Sequence, residues 1–179
     1  MKVDLQKMVS SFSCPEELEA LRYFKQFNVY ETVNLNIDAY KKGNDRNNLY
    51  RNSYYNNQEI RISKIESTIP SLNIVSTKII NTMEGTSLEG QHLTGKKLVV
   101  LGEISLSLLV TYYINCNKCN NIVKEVKIPF STFIVIPKDT CNEEIVNLRY
   151  LIEDISTAPL DNSKAIVSIT LLIQYLEEH

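Results

Sequence analysis

The stretch "EISLSLLVTYYI", residues 103–114, decides the fold. Ile104, Leu106, Leu108, Val110, Tyr112 and Ile114 alternate with Glu103, Ser105, Ser107, Leu109, Thr111 and Tyr113. Successive side chains of a strand point to opposite faces, so a sustained period of two predicts a strand with one buried face. Toward the C-terminus, Ile122, Val126 and Ile128 predict a partner strand returning across "NCNKCNN", residues 115–121, and stopped by Pro129. "STFIVIP", residues 131–137, predicts a further short strand. Val146, Leu148, Tyr150 and Ile152 alternate, as do Val167, Ile169, Leu171, Ile173 and Tyr175, with "APLDNSK" (158–164) as the turn between them. Toward the N-terminus, "EIRISKIES" (59–67) and "LNIVSTKII" (72–80) read as strands. The second places Ile74 and Ile80 on one face and Val75, Thr77 and Ile79 on the other. Short strands joined by turn signals, with no helices between them, predict a mainly β protein: an antiparallel β-sandwich of about seven strands.

One helix is expected ahead of the sandwich. Ser13 and Glu16 have capping-box spacing, Pro15 suits a first helical turn, and Leu18, Leu21 and Phe24 follow at helical spacing, so the helix runs to about Asn28. Residues 41–58, "KKGNDRNNLYRNSYYNNQ", are rich in Asn and Tyr and read as a long polar loop. Its tyrosines either cover the sandwich or form a partner-binding arm. The division expected is 1–58, helix plus polar loop, and 59–179, the sandwich.

Four of the five glycines, Gly85, Gly90, Gly95 and Gly102, fall between 85 and 102. A phosphate cradle would need tighter spacing and a following helix, and Lys97 stands where the Gly-Lys pair would require Ser or Thr. Gly85, Gly90 and Gly95 are therefore read as turn residues and Gly102 as a bulge.

The same region carries a resemblance. "NTMEGTSLEGQHLTGKKLVVLGEI", then a strand ending in tyrosine, then "VKIPFSTFIVIP", resembles the SPOCS domain family of spore coat and spore morphogenesis proteins in endospore-forming, mainly clostridial, bacteria. It spans residues 60 to 176, most specifically Glu84–Val100 and Ile128–Pro137, and "FKQFNVYETVNL" is similar to the lead-in of such proteins. The Asn/Tyr-rich stretch departs from the family's shorter, Pro-containing lead, and no LysM module is appended, so direct wall or cortex binding is not expected. The resemblance implies a non-enzymatic structural protein of coat assembly or morphogenesis. Such a protein is made in the mother-cell cytoplasm and recruited to the spore coat. Its partners would be other coat or morphogenesis proteins and further copies of itself. A small-ligand or carbohydrate-binding sandwich is the alternative.

The residues offer little catalytic chemistry. The chain of 179 residues has two histidines, His92 in the glycine-rich region and His179 at the end. Neither has a nucleophile or orienter recognisable in sequence, so no catalytic, cofactor-binding or metal residue is assigned and no cofactor is expected. Cys116-x-x-Cys119 fits reduced thiols in a hairpin turn, half a zinc site completed by Cys14 and Cys141, or a redox or crosslinking pair. The adjacent carboxylates Glu16-Glu17, Glu143-Glu144, Glu153-Asp154 and Glu177-Glu178 read as solvated rims. The formal net charge of −2 and pI near 5.8 give no basic surface for nucleic acid. The N-terminus lacks a signal-peptide core, and no long uncharged apolar run predicts membrane insertion.

Overall fold

The computed structural model describes residues 9–11, 21–37, 60–86, 88, 90, 92–114, 118–141 and 146–177. They form two packed sheets, and no α-helix occurs among them. The eight strands are β1 (Val9–Ser11), β2 (Phe24–Asn34), β3 (Ile60–Ser67), β4 (Ser71–Thr86), β5 (His92–Ile114), β6 (Lys118–Val135), β7 (Asn147–Pro159) and β8 (Lys164–Leu176).

β5 is the axis of the first sheet. Its inward side chains Leu98, Val100, Ile104, Leu106, Leu108, Val110 and Tyr112 are all buried, as the alternation predicts. Removing each such side chain from water stabilises the fold by about 1.5–3 kcal/mol. One edge of β5 pairs with β6 without a shift, from Lys97 opposite Val135 to Ile114 opposite Lys118. The other edge pairs with β4 and β3 in succession, so residues 60–86 act as one interrupted strand. Its register shifts between Ile62 and Lys64, between Ile74 and Ser76, and between Asn81 and Glu84, and it breaks around Pro70. Ile69, Val75 and Met83, at three of these sites, are 92%, 62% and 85% exposed. The shift at Val75 also places Ile80 opposite the outward Lys97 and Ile79 opposite the inward Leu98, so Ile74 and Ile80 do not share a face.

The second sheet has the order β1-β7-β8-β2, antiparallel except for the short parallel β1. Ala165, Val167, Ile169, Leu171, Ile173 and Tyr175 of β8 supply its core face. The sheets meet at two seams. At one, Phe27 of β2 packs on Phe130 of β6 with ring centroids 5.6 Å apart. At the other, the Thr157 hydroxyl of β7 donates to the Ile65 carbonyl of β3 at 3.4 Å.

The structure corrects several expectations. Residues 24–28, given to the helix, belong to β2, which pairs with β8 from Phe24 opposite Gln174 to Asn34 opposite Lys164. Half-buried Phe27 and Val29 lead into buried Val33, Leu35 and Ile37, a period of two that burial against β8 and the core selects over helical spacing. The proposed cap at Ser13–Glu16 and the 41–58 segment lie outside the described residues. Residues 24–37 thus pack with the sandwich rather than apart from it.

Pro129 does not end its strand. The N–H of Ile136 donates to the Lys96 carbonyl, so even-numbered residues at this end of β6 turn their backbone groups to β5 and odd-numbered ones turn them away. Pro129, opposite Glu103, lacks its N–H at a position where no ladder bond needs it.

Of the glycines, Gly85 lies within β4, and Gly90 and Gly95 have positive φ. Gly95 is in β5, opposite the β4 shift, and the Glu84 side chain crosses it: a Cβ there would stand 2.7 Å from Glu84 Cγ. Gly102 does lie at a bulge, but the extra residue is Val75 of β4. What Gly102 itself provides is space, since a Cβ would stand 2.4 Å from Phe130 Cζ and 2.9 Å from the Asn73 carbonyl oxygen.

Candidate functional site

Three segments distant in sequence converge where β5 begins and β6 ends. His92 and Thr94 come from β5, Phe133 and Val135 from β6, and Tyr23, Phe24 and Lys25 from the entry to β2; together they line an open groove of about 330 Å³. The unbroken β5–β6 register brings Phe133 opposite Val99 and Val135 opposite Lys97. β2 arrives through Tyr23, whose φ of 48° is rare for a bulky residue. The Tyr23 carbonyl accepts a 2.9 Å hydrogen bond from the Tyr175 N–H, which ties this conformation to β8. The connection after β6 is fixed as well: the Thr94 hydroxyl donates to the Ile136 carbonyl and the Lys96 ammonium to the Thr140 carbonyl.

The groove is cationic and aromatic. The Lys97 ammonium lies 4.3 Å from the Phe133 ring centroid and that of Lys25 5.6 Å from it, within cation–π range. Among the described residues no carboxylate lines this groove. A second depression of about 420 Å³, sharing His92 and Thr94 with the groove, is lined by Glu84, Gly85, Thr86, His92, Leu93, Thr94 and Lys138. There the charges are matched: Lys138 Nζ lies 2.6 Å from Glu84 Oε1, and that carboxylate holds the ammonium above its usual pKa.

His92, the histidine of the glycine-rich region, lines both depressions, its Nδ1 3.2 Å from the Thr86 hydroxyl. Cys119 is exposed on β6 opposite Tyr113, and Cys141 is exposed beyond the turn at 138–139. Cys14 and Cys116 lie outside the described residues, and among those described no three His, Cys, Asp or Glu side chains cluster as metal ligands do. The Glu153 carboxylate accepts from Gln26 Nε2 at 2.6 Å, and that of Asp154 from the Ser156 hydroxyl at 2.7 Å, so the pair faces separate partners.

The outer face of the first sheet carries a second feature. Leu101, Leu109 and Tyr113 of β5 and Val123 and Phe133 of β6 are between 36% and 63% exposed, and Leu109 stands directly opposite Val123. The Lys127–Glu103 ion pair, 3.0 Å, divides this face into two apolar ends. No helix among the described residues is long and apolar enough to cross a membrane. The groove escapes sequence reasoning because helical spacing claims Tyr23-Phe24-Lys25 and nothing local marks their meeting with Phe133. Compared with known proteins, the chain matches no family model, no curated protein and no solved structure.

Proposed function

We propose that this chain is a non-enzymatic assembly protein acting by protein–protein association, and that its setting is the endospore coat or its morphogenesis. It is made in the mother-cell cytoplasm, recruited to the spore coat, and partnered by other coat or morphogenesis proteins and by copies of itself. The observation that carries the association reading is the apolar end of the outer face of β5 and β6 formed by Leu109, Tyr113 and Val123, with Leu109 directly opposite Val123, because neighbouring exposed apolar side chains mark interaction sites. The spore setting rests on the sequence resemblance. Its two most specific stretches, Glu84–Val100 and Ile128–Pro137, lie side by side in space, with Lys97 opposite Val135 and Val99 opposite Phe133.

A pull-down from sporulating cells tests the setting: coat or morphogenesis proteins enriched on the tagged chain are expected, and their absence overturns it. Sedimentation tests self-association. A dimer or larger species is expected, shifted toward monomer by Leu109→Lys with Val123→Lys; a wild-type monomer at high micromolar concentration removes self-association. The alternative, a small-ligand or carbohydrate module, draws on the aromatic groove, at the small end of ligand-pocket volumes. Against it, the Lys97 ammonium already covers the Phe133 ring on which a sugar would stack.

A further inference from the structure

We propose that the groove between β2 and the β5–β6 end binds an acidic, extended peptide segment of a partner protein. The inference rests on the association reading above and gives that association a chemistry.

Charge is the first argument. Lys64, Lys127 and Lys138 each hold a carboxylate, Glu66, Glu103 and Glu84 respectively. Lys25 and Lys97 hold none among the described residues; both ammonium groups lie over the Phe133 ring instead. An ammonium over a ring keeps hydrogens directed to solvent, so each can take a carboxylate without leaving the ring. One such cation in the lining, Lys25, and a second, Lys97, over the ring of the lining residue Phe133, with no acidic residue in the lining among the described residues, complement a run of acidic side chains.

Backbone geometry is the second argument, and it selects an extended chain. Among the described residues β2 is bonded only to β8, and β6 only to β5. The Tyr23 carbonyl and the Leu35 N–H both bond toward β8, so the intervening even-numbered residues, Phe24 first, turn their backbone groups to the open side. On β6 the odd-numbered Phe133 and Val135 do the same. The walls of the groove therefore present strand edges with no partner among the described residues, beside Lys25 and Lys97. Addition of a strand to such an edge supplies main-chain hydrogen bonds, and alternate side chains reach the lysines and the exposed Phe24 ring. The strained φ of Tyr23, which turns Phe24 onto the rim, fits a backbone held for binding.

The test is fluorescence anisotropy with a labelled peptide of alternating Glu and Val, against alternating Lys–Val and Ser–Val peptides. The acidic probe is expected to bind most tightly and to weaken with added salt. Lys25→Gln with Lys97→Gln should weaken it about tenfold, and Phe24→Ser should weaken it too, whereas Lys127→Gln should leave it unchanged. Equal binding of all three peptides, no binding of the acidic one, or unchanged binding by the double variant overturns the proposal. Free citrate binding as tightly as the peptide overturns the extended-peptide occupant. The pull-down separates the two readings. Coat proteins retained by the double variant keep the assembly reading and remove the groove as its interface. Peptide binding without coat proteins in the pull-down does the reverse.

Discussion

Toward β6, β5 is paired from Lys97 to Ile114 in a single register; toward β3 and β4, much of the same strand meets a partner that slips at Ile62, around Pro70, at Val75 and near Met83. The inward face of β5 is unaffected, since Leu98, Val100, Ile104 and Leu108 are fully buried throughout. The difference lies in the outer edges. Bulges bend and twist a strand and make it a poorer template for further pairing, so the β3–β4 edge is blunted against addition. The β6 edge is smooth, with Pro129 as its one built-in interruption. The groove lies at the smooth edge, beyond that proline.

Gly102 stands between the two edges, so its substitution is the most direct way to break the contrast. A methyl group there meets the Phe130 ring on the regular side and the Asn73 carbonyl on the bulged side. Gly102→Ala is expected to cost about 1–3 kcal/mol in urea denaturation. Adding Phe130→Leu should recover part of it, because only one of the two clashes involves a side chain that can be exchanged. No loss in Gly102→Ala would mean that the bulged edge yields freely.

A smaller effect sharpens the account of the bulged edge. At the break around Pro70, the Thr68 N–H donates to the Ser107 carbonyl, and the Thr68 hydroxyl accepts from the Ser107 N–H at 2.9 Å, so a side chain replaces a missing ladder partner. Thr68→Ala should cost about 0.5–1.5 kcal/mol and speed hydrogen exchange at the Ser107 amide, while amides of the β5–β6 ladder keep their protection.

The smallest effect belongs to the other sheet and serves as a reference. The Asp161 carboxylate accepts from the backbone N–H and the hydroxyl of Ser163 at 2.7 and 2.9 Å, which lowers its pKa. A lowered folded-state pKa gives stability that is present above the ordinary carboxylate value and lost as pH falls through the folded value. Asp161→Asn should lower the Tm by no more than about 2 °C near neutral pH. The gap between variant and wild type should close in acid; a gap independent of pH would show that the charge is not involved.

The strands on both sides of these edges are largely legible in the sequence. Period two in residues 104–114 and 167–175 marks β5 and β8, because each has one face against the core. Pro129 misleads, since the residue type tells that an N–H is missing and not whether any partner needs it. The cap-like Ser13–Glu16 pair draws a helix reading onto Phe24–Asn28, whose fate depends on a β8 partner far along the chain. The bulges at Ser63, Val75 and Met83 are invisible, since an extra residue in a strand shows only once its partner is known. The groove is illegible for the same reason: Lys25, Lys97 and Phe133 share a site only after three strands are in place.

The pairing of β2 with β8 also sets when this protein can fold. Among the described residues β2 finds its hydrogen-bond partner in Lys164–Leu176, far along the sequence. Loop closure over that separation slows folding, as it does for other folds dominated by non-local pairing. During synthesis the β3–β6 unit emerges before β8, so the core face that β8 covers waits for it. In a cell making many copies at once, that interval is when chaperone protection matters most.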